Sequence, residues 1–208
     1  MALADLSRTI ESGMPVFPGD PPVAVDPHAT MDADGYRVSA LALGSHTGTH
    51  LDAPSHTEPD GATVEALPVS RFVRDAVRVD LRDHPPEGDI RPADLPTVDA
   101  EALVLWTGWD RYWGDPDYRD HPSLTPAAAR HCAEQGYDVA IDALSVDPTP
   151  ATDGVPAHHE LLGDGRLIVE NLTNLGRPPD RFELSTLPLK LGGGDGAPVR
   201  AVARWDCS

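Results

Sequence analysis

Gly44-Ser45-His46-Thr47-Gly48-Thr49-His50-Leu51-Asp52-Ala53-Pro54-Ser55-His56 sets three imidazoles and a carboxylate close together in the chain. Such side chains are the usual ligands of a zinc- or manganese-type ion. A straight strand rises about 3.3 Å per residue, which would hold His46 and Asp52 about 20 Å apart. Groups that share an ion must meet, so the chain has to turn back on itself here. Gly48 supplies the backbone freedom for that and Pro54 the turn. A helix would also bring His46 and His50 onto one face, but the threonines, glycine and proline of the stretch disfavour it. A single histidine is more often a surface or satisfied core residue than a ligand. Three beside an aspartate point to a metal, with a purely hydrogen-bonded cluster as the alternative.

The rest of the chain bounds what such a centre can serve. With 208 residues, 40% of them hydrophobic, the chain fits one globular domain, 1–208, with a substantial core. No apolar run is long enough to span a bilayer and no secretory leader opens the sequence, so a cytoplasmic protein is expected. Sixteen basic against 34 acidic residues give a net charge of −18. That charge opposes binding to nucleic acid or an anionic membrane, because both carry phosphate. Its ordinary role is solubility. The two cysteines, Cys132 and Cys207, lack a Cys-x-x-Cys spacing and read as free thiols.

The prolines at 15, 18, 21, 22 and 27 exclude a long helix near the start. Within that segment Phe17 stands between two prolines, as a pocket wall or a core plug. Tyr36 to Leu43 reads as a strand leading into the histidine stretch. Residues 57–70 read as loop with a short helical turn. Arg74 to Arg82 alternates as a half-exposed strand, and Ala102 to Trp106 is a short apolar run suited to a buried one. Trp106, Trp109, Tyr112 and Trp113 form an aromatic concentration, read as core or interface in preference to a substrate wall. Thr125-Pro126 begins the clearest helix signal, closed by Gly136; Cys132 falls inside it as a small core residue. Val139-Ala140-Ile141 is another buried strand. Asp142 near its end either caps a turn or orients a ligand histidine from behind. His158, His159 and Glu170 follow, and Glu170 ends an apolar strand pattern where a charge is costly unless paired or metal-bound. Spacing alone does not choose between the two histidines. The last part reads as two strands, Phe182 to Leu191 and Pro198 to Trp205, joined by Gly192-Gly193-Gly194-Asp195-Gly196.

The His-x-Gly-Thr-His-x-Asp-x-Pro-x-His pattern from His46 to His56 resembles the metal-dependent cyclase family of hydrolases, which contains bacterial kynurenine formamidases and isatin hydrolases. The resemblance extends over nearly the whole chain, through Pro15 to Asp20, Thr107-Gly108-Trp109, Ile141 to Pro148, Glu170-Asn171-Leu172 and Leu187-Pro188-Leu189. It implies an α/β fold, a single swivelling β/β/α-type domain with mixed sheets, usually in a homodimer. It implies a pair of Zn2+ ions held by His46, His50, Asp52, His158 and Glu170, with Mn2+ used by some relatives. The family spacing selects His158 over His159. The resemblance makes His56 the catalytic acid/base, and Phe17 stands where formamidases carry a substrate-binding Trp.

The expected reaction is metal-dependent hydrolysis of a small aromatic amide, N-formylkynurenine giving kynurenine and formate. Such a role would place the protein in tryptophan catabolism. A metal-held water becomes acidic enough to ionise near neutral pH, and a histidine is suited to move the protons. No Gly-x-Ser-x-Gly elbow is present, which argues against a serine nucleophile. The alternatives are opening of an isatin-type lactam or lactone, a polyketide-associated cyclase, and a metal-binding scaffold without catalysis.

Overall fold

The computed structural model describes residues 1–151 and 154–206; Cys207 lies outside the described residues. The strands are β1 (Ala2–Asp5), β2 (Ala24–Ala29), β3 (Val38–Ala42), β4 (His50–Asp52), β5 (Val73–Asp80), β6 (Asp89–Ile90) and β7 (Ala102–Trp106). They continue with β8 (Ser123–Leu124), β9 (Asp138–Ile141), β10 (Ile168–Glu170), β11 (Arg181–Ser185), β12 (Gly196–Pro198) and β13 (Val202–Trp205). The α-helices are α1 (Met31–Asp34), α2 (Pro126–Gln135) and α3 (Pro156–Gly163). No described helix is long and apolar enough to cross a membrane.

Nine strands make one mixed sheet in the order β1-β13-β11-β5-β7-β9-β10-β4-β12. Its middle, β5-β7-β9-β10, is parallel and both flanks are antiparallel. Parallel neighbours need a crossover, and α2 and α3 lie in the connections from β7 to β9 and from β9 to β10. Covered on both faces, β7 is apolar without a break and β9 is apolar after Asp138, as the runs at 102–106 and 139–141 led one to expect.

Alternation along the strands divides the core in two. Leu103, Leu105, Val139, Ile141 and Ile168 pack with Ala128, Ala129 and Cys132 of α2 and with Leu161 and Leu162 of α3. Val104, Ala140, Leu51 and Val169 face the other way, onto Phe182 and Leu184. Fully burying one such Leu or Ile contributes roughly 1.5–3 kcal/mol. The α2 signals act as read. The Thr125 hydroxyl accepts from Ala128 N at 3.2 Å, Pro126 fills the first turn, and Gly136 closes the helix at φ +83°. Burial pushes the Cys132 thiol up to about 12, so it behaves as a small apolar residue.

The remaining segments take these forms. The strand read at Tyr36–Leu43 is present as β3, in a separate two-stranded sheet. It pairs only with β2, and all five of its residues are exposed. Ser39, Ala40 and Ala42 offer too little apolar area to dock a face. The segment carrying His158 is helical, started by Pro156 after a Gly154-Val155 turn. The C-terminal part holds three strands where two were read: β11 pairs antiparallel with β13, and the short β12 between them in sequence lies beside β4 at the opposite edge of the sheet.

This topology assembles the site. β4 lies between β10 and β12, with His50 opposite Glu170, Leu51 opposite Val169 and Asp52 opposite Ile168. His50, Asp52 and Glu170 therefore share the helix-covered face, and Leu51 and Val169 fill the core on the other.

Candidate metal centre

The turn before β4 is built as the sequence suggested. Gly48 adopts φ +62°, and its carbonyl accepts from His50 Nδ1 at 2.8 Å and from Asn171 Nδ2 at 3.0 Å. That fold-back brings His46 Nδ1 to 2.7 Å from Asp52 Oδ1. With its Nδ1 engaged by the Gly48 carbonyl, His50 turns Nε2 inward, 3.3 Å from Asp52 and 3.5 Å from Glu170. His158 comes from α3 on the covering layer. Its Nδ1 lies 2.7 Å from Asp147, and its Nε2 lies 3.7 Å from Asp52 and 3.5 Å from Glu170. Asp147 also accepts from the backbone N–H groups of Ala157 and His158, at 2.8 and 3.0 Å, and so ties down the first turn of α3.

Two groups of three potential ligands result, His46-His50-Asp52 and Asp52-His158-Glu170, and they share Asp52. A third, His46-His56-Asp195, adjoins them. The first two fit a divalent transition ion on the chemistry of their donors. Asp52 Oδ2 is buried without a hydrogen-bond partner among the described residues. His46 Nδ1 is bonded to Asp52 at 2.7 Å, but the inward nitrogens of His50 and His158 stand 3.3–3.7 Å from the carboxylates they face, longer than a good hydrogen bond. Their outer nitrogens are engaged by a carbonyl and a carboxylate, the arrangement that presents a histidine lone pair to a metal.

Electrostatics points the same way. Burial disfavours charge on every member, yet the Asp52 and Asp195 carboxylates outweigh it at His46 and lift its pKa to about 9. Asp147, Asp52 and Glu170 do the same for His158, to about 10. Burial and the nearby Asp52 charge push Glu170 up, whereas Asp52 itself is held well below the usual range against burial by His50, His158 and His46. The carboxylates of this cluster are thus balanced by positive charge on the imidazoles, a balance that a bound cation would supply in place of those protons.

A cavity of about 290 Å³ opens onto these groups, so the site is not plugged by its own side chains. Pro15, Val16, Phe17, Pro18 and Leu144 give it apolar walls, and Asp20 lies on the Phe17 loop. Among the described residues lining it there is no Lys or Arg. His56, in the one-turn 3-10 helix Pro54–His56, lines it too. Phe17 meets both of its readings, since it lines the cavity and packs against the core.

Other sequence expectations separate here. His159 is exposed and bonds Glu58 at 2.9 Å, away from the cluster. Asp142 caps a turn, accepting from Thr107 N at 2.8 Å, Thr107 Oγ1 at 2.6 Å and Gly108 N at 2.8 Å. The aspartate behind a histidine is Asp147. None of Trp106, Trp109, Tyr112 and Trp113 lines the cavity; Trp109 is core, and Arg78 and Arg82 stack on Trp106. Sequence reasoning missed Asp147 and Asp195. Asp147, like Asp142, falls near the end of the strand at Val139–Ile141 but carried no assigned role, and the only signal for Asp195 was its place in a glycine run.

Comparison with known proteins agrees with the fold and the motif. A family model described as putative cyclase matches residues 4–148. Over 210 aligned residues the chain is 39% identical to a kynurenine formamidase of Salinibacter ruber, covering 98% of each protein. The solved structure of isatin hydrolase A from Labrenzia aggregata superposes with a TM-score of 0.84 at 26% identity, covering 97% of this chain and 93% of that one. A second structure, described as a potential metal-dependent hydrolase with cyclase activity, gives a TM-score of 0.77 at 28% identity, with 97% and 96% covered.

Proposed function

The chain belongs to the cyclase family, and we propose that it is a metal-dependent hydrolase of a small aromatic amide, with N-formylkynurenine as its substrate. The observation that carries this reading is the pair of ligand triads sharing Asp52 at the floor of an open, apolar-walled cavity. In this reading His46, His50, Asp52, His158 and Glu170 hold two zinc ions, with manganese as the other candidate. A divalent cation bound there would acidify water and polarise a carbonyl.

The chain's own residues do the rest. Phe17 lies against the aromatic ring of the substrate. Asp20, on the same loop, faces the α-ammonium of an amino-acid side arm, and an unbroken absence of basic side chains from the described lining suits a substrate with that charge. His56 takes a proton from the attacking water as its oxygen bonds to the formyl carbon. It then delivers the proton to the nitrogen as the C–N bond breaks, releasing an aniline-type amine and formate. Near neutral pH an imidazole can serve in both directions.

A second reading is hydrolysis of an isatin-type lactam, favoured by the structural likeness to isatin hydrolase A. The homodimer implied by the family resemblance has an available surface in the β2–β3 hairpin, where Tyr36, Val38 and Leu41 are exposed. An isolated two-stranded hairpin is only marginally stable in water, and a partner copy would cover it.

The test is a side-by-side assay of N-formylkynurenine and isatin with zinc- and manganese-loaded protein. His56→Ala is expected to lower kcat about 10²–10⁴-fold with metal content unchanged. Turnover of neither compound, or a His56→Ala enzyme as fast as wild type, would refute the reading.

A further inference from the structure

Gly192 to Gly196 closes over the outer side of the histidine cluster, and its one side chain with chemistry is Asp195. Asp195 Oδ2 lies 3.1 Å from His46 Nε2 and 3.4 Å from His56 Nδ1. The two rings stand 4.0 Å apart, tilted by 39°. His46 and His56 line the cavity, whereas Asp195 does not. One carboxylate oxygen thus stands behind both rings, on the side away from substrate.

The loop that presents it is fixed by the motif itself. The Asp195 carbonyl accepts from Ala53 N at 2.9 Å, and the Gly194 carbonyl from Val64 N at 2.8 Å. Gly193 N donates to the Glu65 carboxylate at 2.6 Å. The next residue begins β12, paired to β4 with Gly196 opposite Asp52. A Cβ at Gly196 would lie 2.7 Å from His46 Cε1 and 2.8 Å from the Leu51 carbonyl, so only glycine lets the loop come this close.

We infer that Asp195 is a positioning residue that holds the His56 imidazole for proton transfer, with the His46 ring as its second anchor. This rests on the hydrolase reading above. In the working enzyme Nδ1–H of His56, 3.4 Å from Asp195 Oδ2 in this structure, closes on that carboxylate and donates to it, which fixes the tautomer and leaves Nε2 with a lone pair. Nε2 takes the proton from water as the new C–O bond forms and returns it to the leaving nitrogen as the C–N bond breaks. Asp195 stays a carboxylate throughout, orienting the ring in the manner of the aspartate of a hydrolase triad. Because one oxygen serves both rings, turning His56 out would also loosen His46.

The experiment compares D195A, D195N and E65Q with wild type as metal-loaded full-length protein. Glu65 tethers the same loop without touching a histidine, so E65Q reports loop loosening alone. D195A is expected to lower kcat about 10–100-fold while KM changes about twofold or less. D195N keeps an acceptor oxygen and should recover part of the loss. In zinc-loaded protein, long-range ¹H–¹⁵N spectra should show a single Nδ1–H tautomer at His56 in wild type and a mixture in D195A. An unchanged tautomer, a kcat loss that E65Q reproduces, or lost zinc with unchanged kcat per bound ion would overturn the inference. Should D195A fail to fold, the same readouts on D195N against E65Q decide it. If wild type hydrolyses no formanilide, the functional reading falls, but the tautomer comparison still tests the positioning of His56.

Discussion

Removing the cation is the perturbation that most directly tests the centre. Asp52 belongs to both candidate ligand triads, and its Oδ2 is buried without a hydrogen-bond partner among the described residues. Two sites of similar affinity, each with free metal at about 100 times Kd, would stabilise the fold by about 2.7 kcal/mol apiece, or about 5 kcal/mol together. For a chain of 208 residues, each kcal/mol moves the melting temperature by roughly 2–4 °C, so the expected rise is on the order of 10–20 °C. The assay is calorimetry on chelator-stripped protein titrated with zinc and then manganese, with bound metal counted by elemental analysis. One ion would give about half the shift. Asp52→Asn weakens both triads at once and should abolish most of the rise, whereas His159→Ala, outside the cluster, should leave it intact. A melting temperature indifferent to metal, or an Asp52→Asn protein that rises as far as wild type, would show that cations do not bind where these residues converge.

Three further outcomes follow from other parts of the structure. Gly196→Ala should lower zinc content and activity together, because its Cβ would press on His46 and the Leu51 carbonyl; overpacking of this kind costs about 1–3 kcal/mol, read by thermal melting and elemental analysis. Asp20→Asn should reduce kcat/KM roughly fivefold for an ammonium-bearing formanilide, equivalent to about 1 kcal/mol, and leave an analogue without the amino group unaffected; kinetics on the two substrates check this. His121 is buried between Thr149 and the Pro122 carbonyl, and burial lowers its pKa below the ordinary 6.5. The unfolded chain then binds the proton first, so the stability tied to neutral His121 is present above pH 6.5 and is lost as pH falls through the folded value. The difference in melting temperature between wild type and His121→Gln should accordingly shrink or reverse from pH 7.5 to pH 5, which melts at the two pH values measure.

What could be read in the sequence was what is local. The turn at Gly48 and the ligands around it sit within a few residues of one another. The run at Leu103 to Leu105 and the Thr125–Gly136 signals each declare an element without outside help. The β3 strand was legible but its sheet was not, because periodicity marks a strand and not which sheet it joins, and Leu41 and Val38 look the same whether covered by this chain or by another. Helix α3 is short and carries no clear sequence signal; Pro156 stands in its first turn and Asp147 accepts from the N–H groups of Ala157 and His158 beyond it. Asp147 and Asp195 were hidden for another reason. A carboxylate that orients a histidine needs no particular sequence distance from it, and here the distances run from eleven residues, Asp147 to His158, to 149, His46 to Asp195.

Register, more than the motif, makes the centre. In β4 the side chains alternate, so His50 and Asp52 face the helices only while Leu51 faces the opposite core. The same holds for Glu170 against Val169, and the pairing of His50 with Glu170 links the two alternations. A slip of β4 by one residue would set Leu51 opposite Glu170, among the carboxylates, and drive His50 and Asp52 into apolar packing. The hydrophobic face therefore enforces the polar one: Leu51 is fully buried, and the free energy that keeps it so holds His50 and Asp52 in place. A metal bound by the opposite face would in turn penalise any register but this one. The cation and the Leu51–Val169 core then act on the same equilibrium, and weakening either should show as reduced occupancy of the other.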